Sequence, residues 1–93
     1  MDKVYAIMYN SYEVDDLDYG DYHIIYLSLN KDKRDKVFEN LRHKNMCPDE
    51  NSPFFKYFEP KENKKGHFSF YYGKWCYQYK LEKFNLEDET KIF

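Results

Sequence analysis

His43, Cys47, His67 and Cys76 are the residues of this 93-residue sequence from which a metal site or an activated nucleophile would have to be built. His43 and Cys47 stand four apart, a spacing that puts two ligands on one face of a helix, but Pro48 closes the helix beside them. His67 and Cys76 lie on either side of a short run that reads as strand and turn, and no CxxC or HxxxH pairing occurs. Structural zinc sites use such pairs, so no metal is expected. A cysteine nucleophile needs a base and a group to orient that base. Cys76 instead sits between Trp75 and Tyr77 in a β-rich stretch, which reads as an inert, buried thiol. His23 lies in a strongly β pattern with no catalytic neighbour in sequence, so a structural or surface role is expected. With 3 glycines in the whole chain there is no phosphate-cradling loop. No catalytic residue, cofactor or metal is expected.

Acidic residues form the next candidate. Val14–Asp21, VDDLDYGD, spaces Asp16, Asp18 and Gly20 somewhat like a calcium loop. That pattern requires glycine at its sixth position and glutamate at its twelfth, where this chain has Asp21 and Leu27. The loop reads instead as a solvated connection or as an acidic contact surface made by Glu13, Asp15, Asp16, Asp18 and Asp21. A second candidate is the aromatic island Phe54, Phe55, Tyr57 and Phe58, set between Pro53 and Pro60. Such rings either plug one edge of a core or anchor a partner, since aromatic residues dominate binding hot spots.

Charge is distributed unevenly. The formal net charge is -2, yet residues 1–29 are strongly acidic and residues 30–83 are basic. This polarity suits electrostatic contact with a partner. Aromatic residues make up 22% of the chain, with 11 Tyr and 8 Phe, so a few large rings can fill a small core. A mean hydropathy of -1.01 requires a strongly polar surface. The start of the chain lacks a basic end followed by an apolar run, and no window approaches the ~18 apolar residues that span a bilayer. Two cysteines without a secretory signal are expected as free thiols in the cytoplasm, with no membrane association.

These surfaces need a scaffold, and the stretch Phe68–Leu81 supplies it. Gly73-Lys74 fits the two-residue loop of a type II′ hairpin, with glycine at positive φ. Tyr72 then faces Trp75, Phe70 faces Tyr77 and Phe68 faces Tyr79, all six on one side. The other side carries His67, Ser69, Tyr71, Cys76, Gln78 and Lys80. Beyond Leu81 the alternation slips towards Phe84 and Leu86, which predicts a bulge near Glu82-Lys83 or the end of the strand.

Upstream, Val4–Glu13 and Tyr22–Leu29 read as antiparallel strands, the first apolar on both faces. Asn30 is placed to cap a helix over about Lys31–Lys44, with a narrow stripe at Arg34, Val37, Phe38 and Leu41. Residues 45–66 contain Pro48, Pro53 and Pro60 and read as an irregular insert. Its length implies a functional loop or a short hidden element. A polar tail covers 87–93. The prediction is one α+β domain over 1–93: about four antiparallel strands in the order ββαββ with one helix on the apolar face.

Nucleic acid is the competing partner class. Lys64-Lys65-Gly66 leading into HFSFYY is similar to the ribonucleoprotein motif of RNA-recognition domains, with lysines and aromatic strands suited to single strands. However, His67, Phe68 and Ser69 stand where aromatic, small and aromatic residues belong, and the helix count is one short. Protein binding is the preferred expectation.

The order VYAIMYNSYEVDD, YHIIYLSLNKDKRDKVFENL and CYQYKLEKFNLED resembles the layout of small phage and bacterial domains of ββαββ type. The resemblance covers most of the chain, and the proline-rich aromatic insert departs from it. It implies a mobile-element context and an anti-defence, anti-CRISPR-like role. The chain would then be a stoichiometric inhibitor, and its partner a host protein such as a defence nuclease. It transfers no functional residue.

Overall fold

Gly73 has φ +60 and no other residue of its turn has positive φ, which is the backbone of the type II′ loop expected there. The computed structural model describes residues 3–16 and 20–85. Around that turn Tyr72 pairs with Trp75, Phe70 with Tyr77 and Phe68 with Tyr79, the register read from the sequence. The two strands are β4, His67–Tyr72, and β5, Trp75–Asn85. β1, Lys3–Glu13, pairs antiparallel with β5 along its whole length, and β2, His23–Ser28, pairs with β1. Helix α1 spans Lys31–Met46.

A fifth strand, β3, runs over Phe58–Lys64 and pairs with β4. The sheet order is therefore β2-β1-β5-β4-β3, five antiparallel strands rather than about four. This strand lies inside the stretch expected to be irregular. Pro60 is tolerated because β3 is an edge strand, where a missing N–H need not interrupt a ladder on both sides. The register also shifts between Pro60 and Glu62. The rest of 45–66 holds a short 3-10 turn, Phe55–Tyr57.

The helix begins where its cap residue predicts. The Asn30 side chain accepts from the Lys33 N–H at 3.1 Å, satisfying an otherwise unpaired first-turn donor. Arg34 and Phe38 are its buried residues, and Val37, Leu41 and Met46 pack at the margin of the core. Phe38 meets Phe68 at 5.1 Å between ring centres, and Phe68 stacks on Tyr79 at 4.7 Å. Ile7, Phe38, Phe68 and Phe70 form the buried cluster. Few aliphatics are needed because three of these four residues are rings.

Strand β5 shows no register shift against β1: Ala6 faces Glu82 and Val4 faces Phe84. Neither the bulge nor the strand end expected near Glu82-Lys83 occurs, since β5 runs on to Asn85. Phe84 lies on the side away from the helix and is exposed, so the change of phase reflects an outward ring. On the sheet face away from α1, Tyr22 packs just before the start of β2. There the Tyr22 hydroxyl donates to Gln78 Oε1 at 3.3 Å and Lys80 Nζ sits 4.1 Å from the Tyr22 ring. The polar tail 87–93 lies outside the described residues.

Candidate partner-binding surface

Turn Gly73-Lys74 joins the two surfaces singled out in the sequence. The Gly73 N–H donates to the Tyr57 carbonyl at 3.0 Å, and the Val14 N–H donates to the Lys74 carbonyl at 2.7 Å. The aromatic island therefore abuts one side of the turn and the start of the acidic loop abuts the other. Lys74 Nζ lies 3.6 Å from Asp15 Oδ2. Both are exposed, so this pair contributes little to stability.

Helix α1 leaves this end of the sheet open because its contacts lie at the other end of the β4–β5 hairpin. Arg34 Nη1 donates to the Glu82 carbonyl at 2.8 Å, and Arg42 bonds the Asn63 side chain and the Lys65 carbonyl. The aromatic pair next to the turn is left beyond the helix. Trp75 is 47% exposed, although the hairpin pattern places it on the core side. Phe54 is 64% and Tyr57 50% exposed, and Phe55 and Val14 are exposed beside them.

The island divides. Phe58 turns inward, with its ring 5.8 Å from Phe70 and 5.5 Å from Tyr72. Phe54, Phe55 and Tyr57 turn outward. The physical cause is the change of backbone at Phe58, which enters β3 at φ -77 and ψ 133 after the 3-10 turn.

The acidic set divides as well. Glu13 ends β1 opposite Trp75, and Asp15 and Asp16 follow it as exposed side chains. Asp21 is exposed but stays with the middle of the sheet. Its neighbours hold it there: Gly20 lies against Asn10, and Tyr22 is bonded to Gln78. Asp18 lies outside the described residues. Glu59, which pairs with Tyr71 in β3, joins Val14, Asp15, Gly73 and Lys74 around a shallow hollow. The end of the sheet thus presents aromatic rings beside Glu13, Asp15, Asp16 and Glu59, with Lys56, Lys61 and Lys74 among the nearby cations. Trp75 and Glu59 were not foreseen as site residues. The only sequence signal for Trp75 is its place next to the turn, where the short helical stripe cannot reach.

Two other places on the surface gather charged or titratable groups. A groove of about 850 Å³ between α1 and residues 63–66 is lined by Lys31, Arg34, Arg42, Lys64 and Lys65 over Phe38 and Leu81. Most of its charges are already engaged. Lys31 bridges Asp35 at 2.6 Å, Arg42 bridges Glu39 at 3.1 Å, and Lys64 lies 3.6 Å from Glu62. The Lys31 ammonium holds the Asp35 carboxyl below its ordinary range, with burial opposing and Arg34 assisting.

The face away from the helix carries Tyr12, Cys76, Lys61 and the His67–Glu62 pair at 3.1 Å. A hydrogen bond with the buried Cys76 thiol, reinforced by burial, pushes the Tyr12 phenol up, while Lys61 pulls it down. Cys47 and Cys76 are both free thiols. Among the described residues, no three His, Cys, Asp or Glu side chains are grouped to hold a metal ion. No helix among them is long and apolar enough to cross a membrane. Phe68, Ser69 and Phe70 are buried in β4, so the stretch similar to a ribonucleoprotein motif presents no open ring platform there.

Comparison with protein-family models, curated proteins and solved structures finds no match for the chain.

Proposed function

We propose that the chain is a non-enzymatic protein-binding module whose contact surface is the Gly73-Lys74 end of the sheet. The observation that carries this reading is the pair of backbone bonds at the turn, from the Gly73 N–H to the Tyr57 carbonyl and from the Val14 N–H to the Lys74 carbonyl. They hold three outward rings and an acidic rim on one rigid end. Exposed large aromatics fixed on a scaffold are the usual anchors of protein interfaces, because they bury much area with little loss of freedom. Carboxylates around them steer a basic partner and set its orientation more than they add affinity. The partner of matching chemistry is a protein surface with an apolar pocket inside a basic rim. On the layout resemblance, that partner is a host defence or nucleic-acid-processing protein in the cytoplasm. The chain then acts as a phage-encoded stoichiometric inhibitor, masking a basic surface of its target.

The test is capture from bacterial lysate with and without nuclease treatment. A protein retained after nuclease, and lost with Phe54→Ala and Tyr57→Ala together, supports the reading. Capture that disappears with nuclease, together with oligonucleotide affinity falling steeply with salt, assigns the chain to single-stranded nucleic acid instead.

A further inference from the structure

The two edges of the sheet are built in opposite ways. β3 has the residues FEPKENK: Pro60, a register shift, and the charges of Glu59, Lys61, Glu62 and Lys64. Each of these features discourages another strand from pairing there. β2, the other edge, has the residues HIIYLS, with no proline, lysine, arginine or carboxylate. Among the described residues its outer side pairs with no strand. Ile24 is 49%, Leu27 55% and Leu29, just past the strand, 71% exposed. A bare, apolar edge of this kind is a template for an added strand.

The irregularity in β2 sharpens the geometry. Met8 faces Ile24 and Ala6 faces Leu27, with Ile25 as the extra residue between Tyr26 and Ile24. Side chains three apart in a regular strand point to opposite faces. The bulge instead puts Ile24 and Leu27 on the same face, away from α1, together with Met8.

We propose that β2 pairs antiparallel with β2 of a second copy of this chain, joining two sheets across a two-fold axis. The register that sets Ile24 of one copy opposite Leu27 of the other keeps both residues on their shared face. It also sets His23 opposite Ser28. No like charges meet within the strand pair. The same register brings Asp21, at the entrance to β2, opposite Asn30, beside the first turn of α1 in the other copy. There Lys31, Lys33 and Arg34 stand against Asp32 and Asp35, and with Lys31 and Arg34 both bonded to Asp35 one net positive charge is left. Acidic entry thus meets basic exit twice, once on each side of the axis, a match that a self-paired strand obtains by symmetry. This edge is separate from the Gly73-Lys74 end, so the dimer leaves both partner surfaces free.

Sedimentation equilibrium of the purified chain tests the proposal, with hydrogen exchange read at the β2 amides. The expected result is a dimer whose β2 amides gain protection as concentration rises. Leu27→Lys is expected to weaken the dimer at least about a hundredfold, a factor of about ten at each of two symmetric positions. Ile24→Glu should do the same. Mixing the Leu27→Lys chain with the Ile24→Glu chain should restore association, since each new charge then faces its opposite. Phe54→Ala should leave the dimer unchanged. A chain that is monomeric at every concentration overturns the proposal, as does uptake of β2 by a different protein's strand in its place. So does a dimer that survives both single substitutions with circular dichroism unchanged.

Discussion

Gly73 donates its backbone N–H to the Tyr57 carbonyl oxygen at 3.0 Å, so the hairpin turn and the aromatic island form one body. The turn depends on the positive φ of Gly73, and a Cβ built there meets nothing within 4 Å. A side chain at this position therefore costs backbone strain and no steric clash. Gly73→Ala is expected to lower unfolding free energy by about 1–3 kcal/mol in urea titration. It should also weaken partner capture by disturbing Tyr57. Gly66→Ala is the control. Gly66 does not have positive φ, and its added Cβ would lie 4.0 Å from Leu81 Cδ1. Stability there should stay level or rise slightly.

Phe38 and Phe54 are the same residue type in opposite roles. Phe38 is fully buried against Phe68, and Arg42 sits 5.2 Å above its ring. Phe38→Ala should cost about 3–5 kcal/mol, as other large-to-small core changes do. Phe54→Ala should change stability by no more than about 0.5 kcal/mol while weakening partner capture. If Phe54→Ala destabilises the fold as Phe38→Ala does, the island is core and not contact surface.

The hairpin was legible because turn chemistry and alternation agree independently. Gly73 sets the loop, and the period of two then sorts Phe68, Phe70, Tyr77 and Tyr79 from Ser69, Cys76 and Gln78. The helix was legible from Asn30 and the stripe at Arg34, Val37 and Phe38, although it runs two residues past Lys44. β3 was hidden because an edge strand can carry Pro60 and alternating charges that a central strand cannot. The bulge at Ile25 left no mark in a run of apolar residues that fits either phase. Both halves of the candidate surface were visible as compositions, the acids from Glu13 and the rings from Phe54. Their adjacency was not, since Val14 and Tyr57 are brought together by backbone bonds to a third segment, the Gly73-Lys74 turn. The inward turn of Phe58 and the exposure of Trp75 depend on where the helix ends its cover, which is a tertiary fact.

Arg34 is the tie between helix and sheet. It is 5% exposed, donates to the Glu82 carbonyl at 2.8 Å, and approaches the Ala6 carbonyl at 3.4 Å. Its Nε also donates to Asp35 at 2.8 Å, and its guanidinium lies 5.1 Å from the Tyr5 ring. Removing the charged donor with Arg34→Met keeps much of the volume and should cost about 1.5–3 kcal/mol. Arg34→Lys should recover little of this, because a single ammonium cannot reach two strands and Asp35 in a planar fork. Thermal unfolding of the three proteins at one pH decides between them.

Tyr79 gives the fold a defined response to alkali. Its ring is held between Phe68 at 4.7 Å and Tyr9 at 4.9 Å. Burial, with smaller contributions from Tyr9 and Tyr77, pushes its phenol up to about 12. Burial also pushes up Tyr77 and Tyr22. In the unfolded chain these phenols titrate near their ordinary value of about 10. Below that pH both states keep the proton and stability does not depend on it. Between about 10 and 12 the unfolded chain has lost protons that the folded chain still holds, so stability falls as pH rises. Above about 12 Tyr79 is ionised in both states and its contribution to the slope ends. Urea midpoints measured across this range should fall with rising pH. Tyr79→Phe should make the fall shallower without changing its onset, because Tyr77 and Tyr22 remain. Absorbance of tyrosinate in the folded protein should rise later than in urea. An unchanged slope in Tyr79→Phe would show that Tyr79 titrates alike in both states and that its buried phenol is not what limits the fold in alkali.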